Sequence, residues 1–148
     1  LKFHIRNIGL LGLIIFPLIT LLLAGCSSSS NLGNQPNSAM DDMPEIIQSA
    51  PQVVRQSYQF AADNPELMKQ IPCYCGCIDL GHSSNYACYV SGVDANGKIT
   101  FDEHALGCSI CVDITQDVVR LSKLGKSVAD IKAYIDQSYS QYGPANIP

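Results

Sequence analysis

Apolar residues dominate the chain from Ile8 to Leu23, broken only by Gly9, Gly12, Pro17 and Thr20. Lys2 and Arg6 precede this run, and the small residues Ala24 and Gly25 follow it. A charged start, an apolar middle and small residues before a cut describe a secretory signal over residues 1–25. A membrane-spanning helix needs about 20 apolar residues and polar flanks that hold it. This run is shorter and carries a proline. Residues 26–43 are then mostly Ser, Asn, Gly, Gln and Pro. That composition predicts a flexible tether holding a domain, residues 44–148, away from a surface. Leu1 reads as an alternative start.

Hydrophobic spacing within 44–148 predicts helices at both ends. Pro44 and Glu45 suit a helix start, but Pro51 interrupts it. The first full helix is expected from about Ala50 to Ala62, with Ser49 as N-cap. Its stripe is Val53, Val54, Ser57, Tyr58 and Ala61. Asn64-Pro65-Glu66 then opens a short turn of helix carrying Leu67 and Met68. From Cys73 to about Ser84 no helical period survives. Tyr86–Val90 and Lys98–Phe101 read as two short strands joined by the turn Asp94-Ala95-Asn96-Gly97. A helix from Cys108 should end at Gly125, with Ile114, Val118 and Leu121 on one face. Ser127 caps the last one, with Asp130 three residues on, and Ile131, Tyr134, Ile135 and Tyr139 form its buried face. The expected fold is mostly α. It is a small bundle of about four short helices, with a Cys/His-rich irregular loop and a possible minimal β-hairpin. Such a core is thin, and domains of this size often need a staple.

The chain of 148 residues has room for one compact domain. Its net charge is −4. Without Lys2 and Arg6, seven basic side chains face thirteen acidic ones, a net −6. Nucleic acid and anionic membrane surfaces require clustered Lys and Arg, so neither is an expected partner. Cations are.

The candidate chemistry lies in cysteine and histidine. Cys26 apart, six cysteines remain, Cys73, Cys75, Cys77, Cys88, Cys108 and Cys111, with His82 and His104. All eight fall between residues 73 and 111. Three chemistries can use them. Thiolate and imidazole ligate Zn(II) and soft Cu(I). Cys73, Cys75 and Cys77 converge if Gly76 allows a tight bend, and Cys108 and Cys111 share a helix face. Eight ligands satisfy two zinc ions, and six thiolates suit a small Cu(I) cluster. The thiolate count places Cu(I) narrowly ahead. His82 and His104 are then supporting ligands or hydrogen-bond partners of the ligands.

Disulfides are the second possibility, since small exported domains with even cysteine counts usually carry them. Each of Cys73, Cys75 and Cys77 would pair with one of Cys88, Cys108 and Cys111, leaving both histidines unexplained. The third is thiol–disulfide exchange at Cys108-Ser109-Ile110-Cys111. Against it, residues 73–111 hold Lys98 as their one basic side chain beside Asp79, Asp94, Asp102 and Glu103. Negative surroundings raise a thiol pKa, and no βαβ pattern surrounds the motif.

Two resemblances bear on this. Leu23-Ala24-Gly25-Cys26, followed by four serines, resembles the lipobox of bacterial lipoproteins. It implies cleavage before Cys26 and diacylglycerol on its sulfur, which anchors the protein on the extracytoplasmic side of the cell membrane; stable anchoring takes two chains. Pro72-Cys73-Tyr74-Cys75-Gly76-Cys77 resembles the signature of the bacterial family named for its PCYCGC motif. The likeness continues through Gly81-His82, Asn85, Cys88, Asp102, His104, Cys108, Cys111 and Asp113 to Gly125, Ile135-Asp136 and Tyr139. It covers roughly Ala61 to Tyr142. Glu103 stands where that pattern leads one to expect proline. The resemblance implies an exported lipoprotein and no particular activity.

Other signals are weaker. Asp94, Asn96, Gly97, Ile99 and Glu103 fall at calcium-loop spacings, but Gly92 stands at the first position with no side-chain ligand; a hairpin turn is the better reading. Met40 and Met43 offer thioethers at the tether's end. No Gly-x-Ser-x-Gly or nucleotide-binding glycine pattern appears. The sequence therefore predicts a lipid-anchored metal-binding protein and not an enzyme, with capture, delivery or sensing of Cu(I) or Zn(II) as its role. A disulfide-stapled interaction domain and an oxidoreductase are the alternatives.

Overall fold

The structure is a computed structural model, and it describes residues 42–147. The predicted signal, Cys26 and the tether as far as Asp41 lie outside the described residues. The described residues hold six α-helices and one antiparallel hairpin. None of these helices is long and apolar enough to cross a membrane. The fold is mostly α, as expected.

The chain opens with α1 (Glu45–Gln48), a single turn, and α2 (Gln52–Asp63). Ser49 closes α1 instead of capping α2. Its N–H bonds the Glu45 carbonyl at 2.9 Å and its hydroxyl donates to Ile46 O. Pro51 stands at the start of α2, where a missing N–H costs nothing, and its carbonyl accepts from Val54 and Arg55. Moving the start to Gln52 leaves Val53 43% exposed, while Ser57, Tyr58 and Ala61 are buried as expected. Met43, assigned to the tether from sequence, is buried in the core. Its flexible apolar side chain fills space that a polar linker residue would leave empty. Helix α3 (Pro65–Met68) follows, with proline in its first turn.

The next stretch carries the cysteines and two turns of 3-10 helix, Cys77–Leu80 and Tyr86–Cys88. Strand was expected from Tyr86. Instead Cys88 N–H bonds Asn85 O and Tyr89 N–H bonds Tyr86 O, the three-residue step of a 3-10 turn. Strand β1 (Val90–Val93) therefore begins later and pairs with β2 (Ile99–Phe101), in the register Val90↔Phe101 and Val93↔Ile99 with a bulge between Val90 and Gly92. Asp94 Oδ1 accepts from the backbone N–H groups of Asn96 and Lys98, at 2.8 and 2.9 Å. The carboxylate is thus used to close the turn, as the hairpin reading requires.

Helix α4 (His104–Gly107) is a single turn that hydrophobic spacing did not reveal. Helix α5 (Ser109–Lys123) is the longest described. Cys111, Ile114, Thr115, Val118 and Leu121 recur at three- and four-residue steps and are all buried. That stripe lies against α2 on one side and α6 (Val128–Tyr139) on the other. Gly125, at φ 71°, terminates α5. The Ser127 hydroxyl accepts from Asp130 N–H at 3.2 Å and donates to its carboxylate at 2.7 Å, the expected cap. Ile131 and Ile135 are buried. Tyr134, expected beside them, is 37% exposed under the Arg120 guanidinium, 5.2 Å from its ring centre. A tyrosine ring keeps useful contact there without entering the core.

After α6 a 3-10 turn, Ser140–Tyr142, brings the chain back to the Pro72–Cys77 loop. At Gly143 a Cβ would lie 2.9 Å from the Tyr74 carbonyl oxygen. Backbone meets backbone here, so neither side has a flexible tip that gives way. Gly143→Ala should therefore destabilise the fold by about 1–3 kcal/mol, the usual cost of overpacking. Urea unfolding followed by circular dichroism measures it; an unchanged midpoint would show that this approach relaxes freely.

Candidate metal centre

The eight predicted donors converge. Cys73, Cys75 and Cys77 come from the loop after α3, and His82 follows the 3-10 turn beginning at Cys77. Cys88 precedes β1, His104 opens α4, Cys108 is the N-cap of α5 and Cys111 lies in its first turn. Gly76 takes φ 82°, a left-handed value that glycine adopts without strain. This supplies the bend that turns three alternate cysteines inward.

The Cys73 sulfur is 3.3 Å from that of Cys75 and 3.4 Å from that of Cys111. Cys111 is also 3.5 Å from Cys75 and 3.3 Å from Cys108. Cys77 and Cys88 are 3.7 Å apart, and His104 Nε2 is 3.4 Å from the Cys75 sulfur. The His82 and His104 rings meet edge to face, with centres 5.1 Å apart. All six cysteines are free, without a disulfide. Four groups have their donor atoms mutually within 4.8 Å: Cys75/His104/Cys108/Cys111, Cys77/His82/Cys88/His104, Cys73/Cys88/Cys111 and Cys73/Cys75/Cys77. Ligands about 2.3 Å from a tetrahedral ion stand about 3.8 Å from one another. The observed separations approach that spacing and far exceed the roughly 2.05 Å of a disulfide. These groups could hold a metal ion.

Burial divides the set. Cys73, Cys77, Cys88 and Cys111 are buried, while Cys75, Cys108, His82 and His104 are partly exposed. The thiols polarise one another. Hydrogen bonding from the Cys111 thiol, then from Cys88, pulls Cys73 down to about 2. Cys111 likewise draws Cys108 down to about 5, helped by its backbone N–H. Donation to Cys108 and Cys73 pushes Cys111 itself up, and burial followed by the Cys73 charge pushes up Cys75 and Cys77. Hydrogen bonding and burial within the cluster thus favour the thiolate form at Cys73 and Cys108 and the thiol form at Cys75, Cys77 and Cys111.

Residues that sequence reasoning did not assign to the site hold it together. Asn146 lies 73 positions after Cys73 and is buried. Its Oδ1 accepts from Cys73 N–H at 2.7 Å and its own N–H donates to Cys73 O at 3.1 Å. Its Nδ2 reaches Cys77 Sγ at 3.4 Å and His82 O at 3.1 Å. On the other side, Thr115 Oγ1 donates to Asn85 Oδ1 at 2.8 Å, and the Tyr89 hydroxyl lies 2.8 Å from both Thr115 Oγ1 and the Cys111 carbonyl. All three side chains are fully buried. This network fixes the first turns of α5, and with them Cys111, against the cysteine loop. Asp102 Oδ1 accepts from His104 N–H at 2.8 Å and starts α4 with Glu103 in place of proline.

A family model described as a protein of unknown function with PCYCGC motif matches residues 15–148. The chain belongs to the PCYCGC-motif family. No curated protein and no solved structure matches the chain. Membership agrees with the six-residue signature and, like it, carries no activity. For this PCYCGC-motif protein the chemistry must be read from the donors themselves.

The Asn146 clamp is testable. Asn146→Ala leaves the buried Cys73 N–H without its acceptor, a loss of about 1–3 kcal/mol. Thiol accessibility to a chromogenic disulfide should rise at Cys73 and Cys77 before global unfolding. Unchanged stability and unchanged thiol protection would remove Asn146 from the clamp.

Proposed function

We propose that this protein is an exported lipoprotein, anchored through lipid on Cys26, that captures thiophilic metal ions in its eight-donor cluster. Cu(I) is the favoured ion, ahead of Zn(II). The protein binds ions and does not catalyse a reaction, and its role is capture, delivery or sensing at the cell surface.

One observation carries the metal reading. The Cys111 sulfur lies 3.3–3.5 Å from three other sulfurs, those of Cys108, Cys73 and Cys75. A disulfide serves two sulfurs, and a sulfur nearly equidistant from three has no preferred mate. A thiolate that bridges ions has neighbours on several sides. The all-sulfur trios Cys73/Cys88/Cys111 and Cys73/Cys75/Cys77 suit a soft ion of low coordination number. The Cys75/His104/Cys108/Cys111 group matches a closed Cys₃His zinc site, which keeps zinc close behind.

A second reading rests on Cys108. This partly exposed thiol opens α5 and is lowered to about 5, as a nucleophile for thiol–disulfide exchange requires. The acidic surroundings noted in the sequence are outweighed there by the Cys111 hydrogen bonds. Yet the partner thiol, Cys111, is buried and shared with Cys73 and Cys75.

Elemental analysis separates these readings. The full chain, isolated without added reductant, should carry copper or zinc and yield six free cluster thiols once the metal is removed. Because ligating cysteines must shed their protons, loading should release protons and tighten as pH rises; titration calorimetry in buffers of different ionisation enthalpy counts them. Three disulfides and no metal would reduce the cluster to a covalent staple. Steady disulfide reduction by a variant retaining only Cys108 and Cys111 would favour the exchange reading.

The anchor is tested separately. Cys26→Ser should abolish lipid labelling and processing and release the protein from the membrane fraction. Continued lipid labelling of that variant would end the lipoprotein reading.

A further inference from the structure

We propose that Asp102 is a positioning residue for the cluster, holding His82 so that its Nδ1, and not its Nε2, is offered to an ion beside Cys77 and Cys88. The assignment of an ion rests on the metal-binding reading above. The orientation of the imidazole does not.

The ring of His82 has two unlike edges. Its side chain is 10% exposed, and Nδ1 is buried with no hydrogen-bond partner. Buried polar atoms are rarely left unpaired, and such an atom calls for an explanation, an absent ion among them. His82 stands with Cys77, Cys88 and His104 in one group of potential ligands. Nε2 lies instead 3.6 Å from Asp102 Oδ2. That is beyond a direct hydrogen bond, but it makes Asp102 the carboxylate facing that edge. A histidine that ligates through one nitrogen carries its proton on the other, and a carboxylate there fixes the tautomer and the ring plane.

Asp102 is built to hold still. Its N–H donates to Tyr89 O at 2.9 Å and its carbonyl accepts from the Tyr58 hydroxyl at 2.7 Å. Tyr58 is itself fully buried, edge to face on Tyr89. Asp102 Oδ1 accepts from His104 N–H. Three contacts thus fix the backbone and one oxygen, leaving Oδ2 aimed at His82. A single carboxylate then sets both histidines, one by starting its helix and one by facing its ring.

The test is Asp102→Asn in the full chain. Asparagine keeps an oxygen for His104 N–H but can turn an amide N–H toward His82, which favours the opposite tautomer. In the reduced, metal-free protein, nitrogen–proton correlation NMR should show His82 protonated on Nε2 in the natural chain and shifted toward Nδ1 in the variant. With Zn(II) titrated against a chromophoric chelator, one ion should weaken by roughly 10–100-fold while a second keeps its affinity. The loss should vanish in a His82→Gln background. The thermal midpoint of the metal-free variant should stay near that of the natural chain. If the variant fails to fold, the natural chain loaded with a spin-active cadmium isotope decides. Nδ1 ligation couples the ion to Hε1 alone, whereas Nε2 ligation couples it to Hδ2 as well. Coupling to both protons, an unchanged tautomer, or equal weakening without His82 would overturn the proposal. No metal uptake with the predicted tautomers would instead defeat the metal reading and leave the positioning role standing.

Discussion

Everything in this domain is arranged around bringing free sulfur atoms within 3.3–3.7 Å of one another without joining them. Unbonded thiols are a poor way to fill a core if packing is the only aim. They are weak hydrogen-bond partners, and thiolates among them repel one another. The chain meets this constraint by surrounding the sulfurs with buried polar side chains. Asn146 donates toward Cys77 and accepts from the Cys73 backbone, and Asn85, Thr115 and Tyr89 brace the Cys111 turn. Buried polar side chains that satisfy one another fully are rigid and specific. Here they frame the sulfurs, so the donor geometry is held by the protein itself.

That framing gives the helical core a second means of support. The helices contribute a modest core in which Ile47, Tyr58, Met68, Ile114, Val118, Ile131 and Ile135 are all buried. The cluster ties it to the chain's least regular part. The binding free energy of any ion held by residues from these separate segments would become folding free energy. Its loss would then act first on the Pro72–Cys77 loop and the α4 turn, and only afterwards on the α5–α6 pair.

The helices were legible in the sequence because their signals are local. Ile114, Val118 and Leu121 announce α5, and Ser127 with Asp130 announces α6, within a few residues of where they act. The set of donors was legible for another reason. Cysteine and histidine are scarce in the chain, and apart from His4 and Cys26 all fall between residues 73 and 111. What stayed hidden was short or distant. Helix α4 is one turn and shows no period. Ser49 looked like a cap because it precedes a helical stripe, but the turn of α1 claimed it first. Tyr86–Val90 read as strand from its residue types, whereas its first residues close a 3-10 turn on themselves. Asn146 gave no signal, being an ordinary polar residue near the end of the chain whose partners lie 64 to 73 positions earlier.

The uneven burial of the donors bears on what such a cluster can do with an ion. Cys73, Cys88 and Cys111 are shielded, whereas Cys75, Cys108 and His104 are partly exposed. An ion held only by the shielded sulfurs would exchange slowly, since no outside ligand reaches it before one of those bonds breaks. An ion on the outer three can be approached while still bound, because an incoming donor adds on the open side before a sulfur leaves. The two groups share Cys111 through a single four-ligand set and a single trio, so an ion bound to one could pass to the other by trading one ligand at a time. Such stepwise exchange lets soft ions pass between thiolate sites without being released to water. A disulfide staple has no use for that gradient of exposure, nor for two histidines on its outer side.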